Sequence, residues 1–232
     1  MGIVSRIKEE IAIIKARDPA MHSDWEVLLY PSFRAIMNYR VSHKLYAKGH
    51  YFLARYLSQR SARRTGIEIH PGATIGRGLF IDHGHGVVIG ETAIVGDNVT
   101  LYQGVTLGGT GKESGKRHPT IGDNVVVSSG AKILGSFTVG ANSKIGSGSV
   151  VLHEVPPNSV VVGIPGRVVA LDGVRVKDND PESAIDLDHD ILPDPVADYE
   201  EKLAKHMEEI NKRLKELEKS IYTNCCQAKD KD

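Results

Sequence analysis

Two short stretches carry side chains that can move a proton or grip a small anion. Asp82-His83-Gly84-His85 sets two imidazoles beside a carboxylate, and Arg117-His118 follows a run rich in glycine and lysine. Imidazole titrates near neutral pH and serves as general acid or base, while a neighbouring guanidinium can take a carboxylate in a two-pronged fork. Three readings of the histidines stand open. His83, His85 and His118 supply enough ligands for a zinc site, provided that they converge. They could equally be ordinary surface histidines. General-base catalysis on a hydroxyl is the third reading; it calls for an orienting carboxylate, for which Glu68 and Asp82 are the near candidates.

Both stretches lie at faults in a regular pattern. An aliphatic residue returns every sixth position at Ile69, Ile75 and Ile81, again from Ile89 through Val95 and Leu101 to Leu107, and again from Ile121 through Val127, Ile133, Val139 and Ile145 to Val151. Helices and alternating strands do not repeat in six. A parallel β-helix of hexapeptide units does, with the aliphatic inside each face and Gly, Asn, Asp or Ser at the corners, where φ can turn positive. Three units close one coil of a triangular prism, so coils of about eighteen residues are expected. The step from Ile81 to Ile89 is eight and that from Leu107 to Ile121 is fourteen, so two and eight residues are extruded. A solenoid takes its chemistry at such insertions, because its repeating core cannot vary without losing its stacking. Counting the steps from Ile81 to Ile121 puts the two faults at different corners. Closed packing of three prisms would set one subunit's corner beside its neighbour's loop.

Composition narrows the function. The 232 residues carry 29 basic and 29 acidic side chains, which leaves no basic surplus for displacing counterions from nucleic acid. Cys225 and Cys226 are the only cysteines, too few for a disulfide framework or a metal cluster. Charges within the first residues exclude a secretory signal, and no apolar run approaches a membrane span, so a soluble cytoplasmic protein is expected.

Around the prism the sequence predicts helices. Ile3, Ile7, Ile11 and Ile14 mark an amphipathic helix over 3–17, and further helices are expected over 32–48 and 51–65, closed by Gly49 and Gly66. Residues 1–65 then form a helical domain capping the prism, whose catalytic domain spans 66–171 with a loop extruded at 108–120. An acidic, proline-broken linker is expected over 172–198. Leu203, Met207, Ile210, Leu214, Leu217 and Ile221 alternate steps of four and three, the seam of a helix over 199–223 that either forms a coiled coil or lies on the solenoid. Residues 224–232 read as a disordered tail.

An ordered set of motifs resembles the serine O-acetyltransferases, hexapeptide-repeat acyltransferases of cysteine biosynthesis. It runs through Asp18-Pro19-Ala20, Gly66-Ile67-Glu68-Ile69-His70-Pro71, Asp82-His83, Gly90-Glu91-Thr92, Gly104-Val105-Thr106-Leu107-Gly108-Gly109-Thr110-Gly111, Lys116-Arg117-His118-Pro119 and Gly163-Ile164-Pro165. The resemblance implies a mainly β fold with helical appendages, a left-handed parallel β-helix behind an N-terminal helical domain, trimeric with active sites between subunits. It implies acetyl transfer from acetyl-CoA to the hydroxyl of L-serine, with acetyl-CoA as co-substrate and no metal. His83 matches the general base, and Glu68 stands where the family commonly has Asp to orient it. Asp18 and Asp82 match the residues that hold the substrate amine, Arg117 its carboxylate clamp, and His118 a contact that aids the tetrahedral intermediate. Gly109, Thr110, Gly130 and Ala131 are expected along the CoA arm. Longer members join two trimers through N-terminal helices; here a lone trimer is at least as well expected as a dimer of trimers. Members that dock cysteine synthase use a C-terminal isoleucine, whereas this chain ends in Asp232, which speaks against docking by that route. A related prism acetylating a sugar or another small hydroxyl, and a non-catalytic trimeric scaffold, are the alternatives.

Overall fold

The computed structural model describes residues 3–18, 20–111, 114–175, 204, 206–208 and 210–215. Helix α1 (Ile3–Arg17), a 3-10 turn (Glu26–Leu29), α2 (Pro31–Ala47) and α3 (Tyr51–Thr65) come first. Pro31 suits the first position of α2, where a missing N–H costs nothing. Gly66 ends α3 in the left-handed region with φ 71° and gives its N–H to Ala62 O.

Short strands then wind in triplets. The first coil holds β1 (Glu68–Ile69), β2 (Thr74–Ile75) and β3 (Phe80–Ile81); the second β4 (Val88–Ile89), β5 (Ile94–Val95) and β6 (Thr100–Leu101). The third holds β7 (Thr106–Gly108), β8 (Thr120–Ile121) and β9 (Val126–Val127), and the fourth β10 (Lys132–Leu134), β11 (Thr138–Val139) and β12 (Lys144–Ile145). β13 (Val150–Val151), β14 (Ser159–Val162), β15 (Arg167–Leu171) and β16 (Val174–Arg175) close the far end. Three parallel ladders, β1-β4-β7-β10-β13, β2-β5-β8-β11 and β3-β6-β9-β12-β14, make the faces of a left-handed β-helix.

Register reproduces the arithmetic of the sequence. Val88 pairs with Thr106 and Lys132 with Val150, offsets of 18. Glu68 pairs with Val88 at an offset of 20, and Thr106 with Lys132 at 26. The extruded residues therefore leave at the corners without disturbing the stack. Inside, Ile89, Leu101, Leu107, Val127, Ile133, Val139 and Ile145 are fully buried, which supplies the main favourable term for the fold. After Val162 the winding ends: β14 runs parallel to β12, β15 turns back antiparallel to β14, and β16 pairs antiparallel with β15. Strand β16 thus lies where the acidic linker was expected to begin. The rest of that stretch, from 176, and the tail 224–232 lie outside the described residues.

The helices seal the first coil. Its strand N–H groups bond upward, as Glu68 N to Val87 O and Thr74 N to Ala93 O, so carbonyls on the other side face no further coil. Ser58 Oγ donates to Ile69 O, His43 Nδ1 to Pro71 O, Tyr39 Oη to Ala73 O, and Arg40 to Ile75 O and Gly76 O, at 2.6–2.9 Å. An open sheet edge is thereby satisfied by side chains of α2 and α3. Ile14, Val27, Phe33 and Phe80 form a second small core that lays α1 over β3.

Residues 204, 206–208 and 210–215 are helical and exposed, Met207, Ile210 and Leu214 among them. Leu203, Leu217 and Ile221 of the expected seam lie outside the described residues. No helix among the described residues is long and apolar enough to cross a membrane.

Candidate active site

The two-residue extrusion forms the corner between β3 and β4. His83 takes a left-handed φ of 48°, which throws its side chain outward to 80% exposure. Gly84 makes this possible, because a β-carbon there would stand 2.5 Å from Ile67 Cδ1. Asp82 Oδ1 lies 3.8 Å from His83 Nε2. A third charged group arrives from the end of α1, where Arg17 donates to Thr100 Oγ1 at 3.0 Å and so pins the helix to the prism. Asp18 follows directly. Tyr30 Oη donates to Asp18 Oδ2 at 2.5 Å and Ala20 N to Oδ1 at 2.8 Å. The Tyr30 bond foremost, then the Ala20 bond and the pull of His83, hold the Asp18 carboxyl below the usual carboxylate range. Tyr30 in turn is pushed up to about 12, chiefly by that same hydrogen bond. Asp18 therefore stays anionic and Tyr30 stays a donor. Two carboxylates beside an open imidazole suit a substrate that brings a cation and a proton to be removed.

The eight-residue extrusion leaves at the next corner, between β7 and β8. Its offset of 26 stacks residue 117 over 91 and residue 118 over 92. Glu91 Oε2 accepts from Arg117 Nη2 at 2.5 Å, and Oε1 from Tyr46 Oη at 2.9 Å. Arg117 first, and Tyr46 second, hold the Glu91 carboxyl low. The Thr92 hydroxyl accepts from the N–H of Arg117 at 3.0 Å and of His118 at 3.2 Å. Lys116 Nζ bridges Thr92 O and His118 O. His118 is 9% exposed, and its ring lies over Gly90. Burial, then the positive charge of Arg117, pushes its pKa down, so it is a neutral ring at pH 7.

His83 and His118 thus sit on adjacent edges of the prism with the β4 face between them. The chain turns through Gly84 to Gly86, where Val87 N bonds to Gly84 O, and then runs extended from Val87 to Gly90, so at about 3.3 Å per residue the face is on the order of 10 Å wide. Zinc ligation by His83, His85 and His118 would need convergence that this separation denies. His85 sits at the first corner with Nδ1 against Gly66, and no group of metal-binding side chains occurs among the described residues.

Glu68 departs from its expected place against His83. Its strand stacks under β4, so its neighbour in the next coil is Val88, and its Oε1 turns to α3, 3.3 Å from Gln59 Nε2 and 3.5 Å from Arg55 Nη2. The four residues expected along CoA divide between the edges. Gly109 and Thr110 are exposed at the mouth of the long loop. Gly130 belongs to a column of left-handed glycines, Gly86, Gly104, Gly130 and Gly148, stacked on the His83 edge. Ala131 is fully buried, its N–H donating to Ser128 O and its carbonyl accepting from Thr106 N, so its side chain cannot touch a ligand. Sequence reasoning assigned no role to Tyr30, Tyr46, Glu91 or Thr92. For the last two the signal was available: adding the eight extruded residues to an eighteen-residue coil pairs 91 with 117 and 92 with 118.

Comparison with known proteins bears on this site. The family described as bacterial transferase hexapeptide (six repeats) matches residues 118–153. The serine acetyltransferase of Bacillus subtilis (strain 168) is 56% identical over 216 residues, 93% of this chain and 96% of that protein. Among solved structures, Neisseria gonorrhoeae serine acetyltransferase in complex with serine is similar at TM-score 0.69 and 45% identity, over 72% of this chain and 69% of that one. Brucella abortus strain S19 serine acetyltransferase in complex with coenzyme A is similar at TM-score 0.70 and 47% identity, over 72% and 68%. Against the Neisseria protein in another crystal structure, this chain spans 65% of the length.

Proposed function

Because the chain belongs to the serine acetyltransferase family, and so transfers an acetyl group from acetyl-CoA to serine to form O-acetylserine in cysteine biosynthesis, we propose that each of its active sites is shared between two subunits of a closed trimer. One subunit contributes the edge with Asp18, Asp82 and His83. Its neighbour contributes Arg117 and His118. The separation of the two edges by a whole face carries this reading, since the substrate amino acid is shorter than that span. Closed cyclic symmetry repeats one heterologous contact and completes every site at once.

Within the cleft, Asp18 and Asp82 hold the serine ammonium and Arg117 exchanges Glu91 for the serine carboxylate. Serine's hydroxyl is a weak nucleophile, so His83 takes its proton as the oxygen attacks the thioester carbon. The tetrahedral intermediate collapses with loss of the CoA thiolate, which receives that proton from His83. His118, neutral, donates to the developing oxyanion. Glu68 orients the base in the loaded site; its tie to Arg55 is a half-exposed pair at 3.5 Å, worth at most about 1 kcal/mol, and yields to a better partner. The CoA arm runs up the glycine column past Gly130, facing Gly109 and Thr110 of the neighbour's loop, where missing side chains leave room for the pantetheine. Ala131 supports that edge from within.

Complementation tests the shared site. At serine well below the wild-type KM, each single variant, His83→Ala or Arg117→Ala, is expected to turn over about a tenth of wild type or less. Random mixed trimers of the two restore about a quarter of wild-type turnover, the fraction of interfaces that pair two intact edges. A mixture as inactive as its parents, with mixed trimers shown by mass, would sink the shared site.

A further inference from the structure

The Gly90-Glu91-Thr92 corner does more than support the loop above it. Thr92 makes four polar contacts with the Arg117-His118 segment, two of them on one ring nitrogen. Its N–H points at His118 Nδ1 at 3.2 Å, and its Oγ1 lies 2.9 Å from the same atom. A backbone N–H can only donate, so Nδ1 must accept, and the ring proton must sit on Nε2. The hydroxyl agrees. Its lone pairs already take the N–H groups of Arg117 and His118, which leaves its own hydrogen for Nδ1. Nε2 has no hydrogen-bond partner among the described residues, and the residue as a whole is 9% exposed. A buried N–H left without a partner is costly unless something arrives to accept from it.

We propose that Thr92 is a positioning residue for the acetyl transfer, fixing His118 as a neutral imidazole that presents Nε2–H as a pre-set donor. This rests on the reading of His118 as the oxyanion donor. The charged and titratable groups around the ring are Arg117 and Lys116 on its own segment, Glu91 in the corner below, and His70 one coil further down. Arg117 and Lys116 oppose protonation of the ring and Glu91 favours it. Protonation at Nδ1 would also set a proton against the Thr92 N–H. The device therefore excludes the imidazolium as well as the wrong tautomer, and His118 works as donor and never as base.

Nitrogen-15 spectra of the histidine-labelled trimer test the assignment without any mutation. His118 should show an unprotonated Nδ1 and a protonated Nε2 from about pH 8 down to below the ordinary histidine pKa near 6.5. A protonated Nδ1 would overturn the proposal outright. In Thr92→Val the backbone N–H still favours the Nε2 tautomer but the shorter hydroxyl bond to Nδ1 is gone, so a minor fraction protonated at Nδ1 should appear beside it, and kcat should fall about tenfold with little change in the KM for acetyl-CoA. Thr92→Ser should restore both the spectrum and kcat, which a role in bulk alone would not require. Mixed tautomers with undiminished kcat would overturn the positioning role. His118→Ala with full turnover would instead overturn the donor reading beneath it, so the two failures are distinguishable.

Discussion

Gly90 lies directly under the His118 ring: a β-carbon at position 90 would stand 1.9 Å from Cδ2 and 2.1 Å from Nε2. No relaxation of the corner absorbs such an overlap while the ring stays in place. In Gly90→Ala the imidazole is expected to leave its seat, and kcat to drop about a hundredfold, the scale of one lost oxyanion donor. Assembly and the far-UV spectrum should not change. Near-normal turnover would mean that His118 is not needed where the structure holds it.

His83→Ala should lower kcat by roughly 10² or more, as expected for a lost proton transfer, with the trimer intact. Steady-state rates for two further variants then separate the carboxylates. Glu68→Gln is expected to lower kcat about tenfold at an unchanged KM for serine, and Asp82→Asn chiefly to raise that KM. The reverse pattern would move the orienting role to Asp82, the carboxylate found nearest His83.

Arg117→Ala should raise the KM for serine about tenfold or more, because a carboxylate loses its two-pronged partner. Acetyl-CoA should bind as before. An unchanged KM for serine would remove Arg117 from the substrate and leave it the ion pair with Glu91 alone.

Acid should loosen this corner before it reaches ordinary carboxylates. His118 and His70 are both held below the usual histidine value, first by burial. As pH falls the unfolded chain takes these protons first, so their contribution to stability is whole above about pH 6.5 and is lost as pH drops toward the folded values. Asp18 and Glu91, also held low, add a second loss below about pH 4. Melting temperatures should thus be flat near neutrality and fall in two stages. His118→Gln should shed part of the first stage, and a slope identical to wild type would contradict the buried neutral ring.

Arg40 offers a test of the cap with no chemistry attached. Replacing it by Met leaves the carbonyls of Ile75 and Gly76 unpaired and should cost about 2–3 kcal/mol in urea unfolding, near the range for a lost charged hydrogen bond. The kcat of the surviving trimer should not move.

The prism was legible because one inward aliphatic per hexad is a demand of the fold itself, met from Ile69 to Val151. The faults were legible for the same reason, since residues that do not fit the stack must leave it. Partners drawn from outside the repeat were not. Tyr30 precedes Pro31 as any residue might, and nothing local says that its hydroxyl meets Asp18. Glu68 sits one residue before Ile69 and reads as a neighbour of His83 in a count along the chain. Register instead places Val88 beside it and Arg55 before it. Ala131 looks like a small contact residue, yet it falls at an inward position and is spent on the core.

The sealed first coil also bears on how such a chain can change its length. Arg40, Tyr39, His43 and Ser58 recognise carbonyls of one particular coil, and Thr92 recognises a segment one coil above its own. Duplicating a whole turn between β8 and β13 would lengthen the prism and leave both recognitions intact. Inserting one between β5 and β8 would separate Thr92 from His118 and Glu91 from Arg117 without breaking a single strand pairing. Growth by repetition is therefore open on the side away from the helices, and there alone can a copying error be silent.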